Sequence, residues 1–315
     1  MQQKLAPRIA VLGAGAVGSY YGGMLARAGV AVTLVGRAPH VEAINSKGLF
    51  LDTVHFQERI RISASTDLDA VHDADIVLFC VKTFDTEETA KSLSRHLAPR
   101  AVLVSLQNGV DNVERIRSAA KIQVIPAVVY VAVAMTAPGR IRHSGRGDLI
   151  IGNIPAAGQQ CPEEHELQTI ARLFVRAGIP CTVSQNVVAD LWVKMIMNCA
   201  YNAISALGRA KYGRAVHNPW TRDLMTRVTE EAVTVARASG VRLPEADMSA
   251  AVLKLADTMS EATSSTAQDI ARGNRTEIDS LNGYIVRRGT QLGIATPVNQ
   301  TLHALVKLLE DSAMA

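Results

Sequence analysis

At 315 residues, with 48 % apolar and 20 % charged side chains, the chain exceeds one domain of ordinary size and suits two that bury their cores without help from metals or disulfides. A net charge of +4 is small for this length, and the basic residues are interleaved with acids, which argues against a nucleic-acid reader. Cys80, Cys161, Cys181 and Cys199 form no Cys-x-x-Cys pair, and the apolar run 122–135 is too short to span a membrane and contains Pro126, so zinc-ribbon, disulfide-stapled and membrane classes drop out. With no secretion signal in residues 1–8, a cytoplasmic, soluble protein is expected. In chain order, 8–12 reads as a strand, 17–28 as a helix stopped by Gly29, and 31–35 as a second strand. The stretch 48–62 has the pattern of a hairpin or two short strands. Residues 75–81 form a continuous apolar run, as in a parallel strand covered on both faces, and 101–106 repeats it before Gln107-Asn108-Gly109. Strand character continues at 124–135 and 148–151.

Strands alternating with helices give a doubly wound parallel sheet, because parallel neighbours need crossover helices. Beyond about residue 186 strand patterns stop. Helical patterns cover 186–207, 217–239, 246–256, 266–273, 275–292 and 297–311, with Thr296-Pro297 as a start signal and Gly240 and Gly293 as C-terminal caps. The expected fold is α/β: an N-terminal Rossmann-type sheet domain over 1–185 and an all-α domain over 186–315.

The turn Gly13-Ala14-Gly15-Ala16-Val17-Gly18 has the Gly-x-Gly-x-x-Gly spacing. The first glycine permits the tight exit from the strand, the second lets a pyrophosphate approach the backbone, and the third lets the helix pack on the sheet. Helix N–H groups at Ala16 and Val17 then face the phosphates. The spacing alone is common, but a strand before it and a helix after it make a dinucleotide site the better reading. After the second strand stands Arg37, with no acid before Glu42. NAD enzymes usually keep a carboxylate there for the ribose hydroxyl, whereas an arginine suits the 2′-phosphate, so NADP(H) is expected.

In the second half, Lys194, Asn198 and Asn202 recur every four residues in an otherwise apolar helix, forming one slowly drifting stripe about 12 Å long. A solvent-facing stripe would be expected to carry mixed charges, as 222–231 does. One lysine and two amides suit a small polar substrate, and burial favours a lysine ready to give up its proton. Two further polar clusters follow. The simplest reading of 263–269 is a helix N-cap with Gln268 and Asp269 in the first turn; that of 274–279 is a capping box pairing Asn274 with Glu277.

Over nearly its whole length the sequence resembles the ketopantoate reductase family. The resemblance rests on the glycine turn, Val81-Lys82, Gln107-Asn108-Gly109, the Lys194/Asn198/Asn202 helix, Ser264-Ser265 with Gln268-Asp269, and Thr276-Glu277-Ile278-Asp279 with Asn282-Gly283. It implies NADPH-dependent reduction of 2-dehydropantoate to (R)-pantoate, a step towards pantothenate and coenzyme A. It makes Lys194 the general acid and sets Glu277 against the substrate hydroxyl. Asn198 and Asn202 fall on the substrate's polar groups, Ser265 near its carboxylate, and Lys82 and Asn108 on the cofactor side. Tyr212 and Ala262 depart from the family pattern, standing where some members carry substrate-holding asparagines. The partner expected is a small 2-oxo acid, with no metal, nucleic acid or membrane; a homodimer is the candidate assembly.

Overall fold

The structure, a computed structural model, describes residues 7–155 and 161–314. The chain forms two compact units: Met1–Gln107 with Asp111–Val187, and Asn108–Val110 with Val188–Ala315.

The first unit is built on ten strands: β1 (Ile9–Leu12), β2 (Val32–Val35), β3 (Leu49–Asp52), β4 (Gln57–Ile60), β5 (Ser63–Ser65), β6 (Ile76–Phe79), β7 (Val102–Ser105), β8 (Val124–Ala137), β9 (Arg140–Ile151) and β10 (Cys181–Val183). Its helices are α1 (Ala16–Arg27), α2 (Ala38–Lys47), α3 (Thr86–Leu93), α4 (Asn112–Ala119) and α5 (Glu164–Arg176). The strands β5-β2-β1-β6-β7-β8 lie side by side and parallel. This is the dinucleotide-binding order, in which the connections reverse direction between β1 and β6 and open a crevice beyond their carboxyl ends. Every residue of β1 and β6 is buried, which accounts for their unbroken apolar sequences.

The sheet is mixed rather than wholly parallel. β8 and β9 form a long antiparallel hairpin with three register shifts, and β3 and β4, the hairpin read from 48–62, continue the sheet beyond it. The sequence reading began β9 at residue 148, because 140–147 (Arg-Ile-Arg-His-Ser-Gly-Arg-Gly) is too basic and glycine-rich to announce a strand. Pairing with β8 overrides that local preference. Helix α5, which opens with a capping box between Glu163 and Glu166, was also not anticipated.

The second unit is helical: α6 (Val187–Gly208), α7 (Tyr212–His217), α8 (Pro219–Ala238), α9 (Met248–Met259), α10 (Ser265–Ala271), α11 (Asn282–Leu292) and α12 (Pro297–Met314). Trp192, Met195, Tyr201, Met225, Val228, Ile285 and Val306 lie in its core. The helix expected over 217–239 is α8, beginning two residues later, and the short α7 precedes it. The break falls at Asn218, whose side chain caps α8 while Pro219 occupies its first turn. Likewise 275–292 is no single helix: a short 3₁₀ turn, Ile278–Ser280, precedes α11.

The tightest packing lies at the exit of β1. Gly13 has φ +104°, and a Cβ there would sit 2.8 Å from the Cys80 carbonyl carbon at the end of β6. At Gly18, a Cβ would fall 2.2 Å from the Gly13 carbonyl oxygen. Neither backbone can retreat without parting α1 from the sheet. A Gly18→Ala change should therefore destabilise the first unit by about 1–3 kcal/mol, read as a lower denaturation midpoint; an unchanged midpoint would contradict this account of the turn.

Candidate active site

Gly13, Gly15, Ala16, Val17 and Gly18 form the β1–α1 turn as the sequence indicated. The three glycines differ physically. Gly13 and Gly18 are demanded by neighbouring protein atoms, whereas a Cβ at Gly15 would meet nothing within 4 Å. Gly15 is also exposed and serves as the N-cap of α1, beside N–H groups that have no partner within the helix. The backbone at Gly15 is therefore open to solvent. Gln107, buried, donates from Nε2 to the Val81 carbonyl (3.1 Å) and to Thr86 Oγ1 (2.8 Å), fixing the end of β6 opposite the turn. Lys82, half-buried, follows directly as the N-cap of a short 3₁₀ turn. Arg37 stands two residues beyond β2 as the N-cap of α2; it is exposed and in no ion pair among the described residues.

A groove of about 980 Å³ in the same unit runs past Arg8, Val32, Lys47, Arg59, Ser63 and Asp73, at the amino ends of the strands and away from the glycine turn. One of the cations beside it, Arg59, has a structural task. Arg59 Nη1 donates to the carbonyls of Lys47 (2.9 Å) and Gly48 (3.4 Å) at the end of α2, where helix carbonyls lack partners.

In the second unit the polar stripe of α6 is the half-buried seam of a mostly buried helix: Lys194 and Asn198 are half-buried, while Trp192, Met195, Ile196, Cys199 and Tyr201 are buried. Lys194 is thus less buried than its sequence setting suggested, and it is paired: its Nζ donates to Asn108 Oδ1 at 2.9 Å. Asn108 Nδ2 in turn donates to Glu277 Oε2 at 3.3 Å. Glu277 is only 8 % exposed. Asn202 is 2 % exposed, and its side-chain amide has no hydrogen-bond partner among the described residues.

The 263–269 cluster is a cap, as its sequence pattern indicated. Ser264 caps α10, its Oγ accepting from the Ala267 N–H, and it also ties α10 to α6 by donating to the Asn202 carbonyl (3.2 Å). Ser265 stands next to it, exposed, as the first residue of α10. The second cluster departs from its expected role: no helix starts at Asn274, and Glu277 caps nothing with its side chain. Its carboxylate faces Asn108 instead. Sequence reasoning missed the supports around it. Buried Glu310 accepts the Thr276 N–H at 2.5 Å, and Asp279 Oδ1 lies 2.7 Å from His303 Nε2, with Lys307 (3.4 Å) and Arg275 (3.5 Å) beside its other oxygen. Tyr212 is buried with its ring centroid 4.3 Å from that of Tyr201, and its N–H donates to the Ala262 carbonyl.

The four cysteines are free, and burial pushes the Cys181 thiol up to about 12. Among the described residues no cluster of His, Cys, Asp and Glu could hold a metal ion, and no helix is long and apolar enough to cross a membrane.

The family model described as "Ketopantoate reductase PanE/ApbA" matches residues 9–156, and that for its C-terminal region matches 186–310. The chain belongs to the ketopantoate reductase family. It is 32 % identical over 304 residues to the 2-dehydropantoate 2-reductase of Pyrococcus horikoshii, covering 96 % of this chain and 98 % of the relative. The crystal structure of a PanE/ApbA family ketopantoate reductase from Ralstonia eutropha superposes with a TM-score of 0.89 at 49 % identity, covering 98 % and 100 % of the two chains. The ternary structure of D-mandelate dehydrogenase with NADH and anilino(oxo)acetate shares the fold, with a TM-score of 0.90 at 23 % identity over 98 % and 100 %. The chain is accordingly an oxidoreductase of the class that acts on 2-oxo acids.

The hydrogen bond from His303, then the charge of Lys307, hold the Asp279 carboxyl well below the usual carboxylate range, against desolvation that pushes it up. A depressed folded value means that Asp279 contributes stability above its unfolded pKa of about 3.9 and loses it as pH falls through the folded value. The denaturation midpoints of wild type and Asp279→Asn should differ near neutral pH and converge below about pH 4. A gap of constant size down to about pH 2 would contradict the assignment.

Proposed function

We propose that this chain catalyses the NADPH-dependent reduction of 2-dehydropantoate to (R)-pantoate, in the cytoplasm, as a step towards pantothenate and coenzyme A. The observation that carries the reading is the hydrogen-bonded row Lys194–Asn108–Glu277. It joins a proton donor to a hydroxyl acceptor, the complement of a hydroxylated 2-oxo acid.

The glycine turn fits a dinucleotide, since Gly15 leaves backbone open where a pyrophosphate would lie. Gly13, Gly15, Ala16, Val17 and Gly18 would hold it, with Lys82 and Asn108 lining the cofactor side. When bound, the cofactor supplies the hydride that adds to C2 of the 2-oxo acid. Lys194 donates a proton to the C2 oxygen and regains one from solvent. An ammonium at that place stabilises negative charge that the ground-state carbonyl lacks, so its effect falls mainly on kcat. Asn108 keeps the ammonium aimed through Oδ1. Glu277 accepts from the substrate hydroxyl, Asn198 and Asn202 hold its polar groups, and Ser265 meets its carboxylate. Arg37 takes the 2′-phosphate, supported by its exposure and by the absence of a nearby acid at the end of β2.

A second reading keeps the chemistry and changes the acid. A ring and a methyl group, Tyr212 and Ala262, stand where some family members carry substrate-holding asparagines, which favours a branched 2-oxo acid with less polar substituents. Steady-state kcat/KM for 2-dehydropantoate and a panel of branched and aromatic 2-oxo acids decides between them. The proposal expects 2-dehydropantoate to lead by roughly 10-fold or more; leadership by an apolar acid would transfer the assignment, and tight NADPH binding without any turnover would leave a non-catalytic NADP(H) sensor. Separately, Arg37→Ala should weaken NADPH by about 10- to 100-fold, the worth of a charge-assisted contact, with NADH little changed. Equal losses for both cofactors would contradict the role of Arg37.

A further inference from the structure

We propose that Glu310, close to the end of α12, is a positioning residue for Glu277, so that the last helix sets the reactivity of the substrate site. The inference rests on the reading of Glu277 as the carboxylate that meets substrate. His303, Lys307 and Glu310 are spaced four and three residues apart and share one face of α12. That face grips the Glu277 segment on both sides. Before it, Glu310 Oε1 accepts the Thr276 N–H at 2.5 Å, while Glu310 Oε2 takes Lys307 Nζ at 2.5 Å. After it, His303 and Lys307 hold Asp279. Between the grips the backbone turns on itself: the Ile278 N–H donates to Thr276 Oγ1 (3.2 Å) and the Ser280 N–H to the Glu277 carbonyl (2.9 Å).

Glu310 is 1 % exposed and Thr276 likewise. Apolar contacts such as those of Leu302 and Val306 already dock α12, and a buried carboxylate adds little to docking as such. What a charge-assisted bond adds is direction. It fixes the Arg275–Thr276 peptide plane, one residue ahead of Glu277, and with it the approach of the Glu277 carboxylate to Asn108 Nδ2. Removing it lets the segment shift. Displacements on the order of 1 Å cost catalysis roughly 100-fold.

A double-mutant cycle tests this on the full-length enzyme with NADPH and 2-dehydropantoate. Glu310→Ala should lower kcat by about 10- to 100-fold. Glu310→Gln, whose amide oxygen can still accept from Thr276, should lose distinctly less. NADPH dissociation constants from cofactor fluorescence should stay within about twofold in every variant, since the glycine turn is untouched. In a Glu277→Gln background Glu310→Ala should add less than about threefold, because the group it positions is already gone. An equal kcat loss in both backgrounds would overturn the assignment, as would an unchanged kcat in a destabilised Glu310→Ala. Failure of the functional reading shows in the wild type alone, as absence of turnover; failure of the Glu310 assignment shows only in the cycle.

Discussion

The Asn108 side chain binds two opposite charges at once, and the geometry of the candidate site follows from it. An amide has one acceptor end and one donor end. Here Oδ1 meets the Lys194 ammonium and Nδ2 meets the Glu277 carboxylate. The reversed amide would set oxygen against oxygen and nitrogen against nitrogen, so the orientation is dictated by the partners. A direct lysine–glutamate ion pair would satisfy both charges but occupy both groups with each other. With an amide between them, each is fixed in place. Asn108–Val110 belongs to the helical unit although its neighbours in sequence belong to the sheet unit.

Around that amide the supports are layered. α6 supplies Lys194, Asn198 and Asn202 at successive turns; Ser264 ties α10 to the Asn202 carbonyl; α12 holds the residues on either side of Glu277. Each support is a directional polar bond. Precision of this kind is what electrostatic catalysis requires, because a charge contributes to a transition state only where that state develops its own.

How much of this was legible in the sequence depended on distance along the chain. The glycine turn reads locally: strand, hexapeptide and helix are contiguous, and each glycine has a local or near-local reason. The Lys194 stripe reads equally well, since helical periodicity alone aligns it. Glu277 did not. Its neighbours imitate a capping box, and the partner that claims its carboxylate lies 169 residues away. Periodicity carries no information about such a contact, and the family resemblance supplied the reading instead. The same limit hid β9, whose arginines and glycines become a strand only against β8, and Glu310, which resembles any glutamate on a surface helix until Thr276 is placed beside it.

The claim on which the rest turns is that Lys194 delivers the proton to the substrate oxygen. Lys194→Ala, assayed with NADPH and 2-dehydropantoate in the presence and absence of added small primary amines, tests it most directly. The account predicts a kcat lower by about 10²- to 10⁴-fold, NADPH affinity unchanged, and partial recovery of rate with increasing ethylamine. A variant that keeps wild-type kcat, or whose loss lies entirely in cofactor binding, would contradict it.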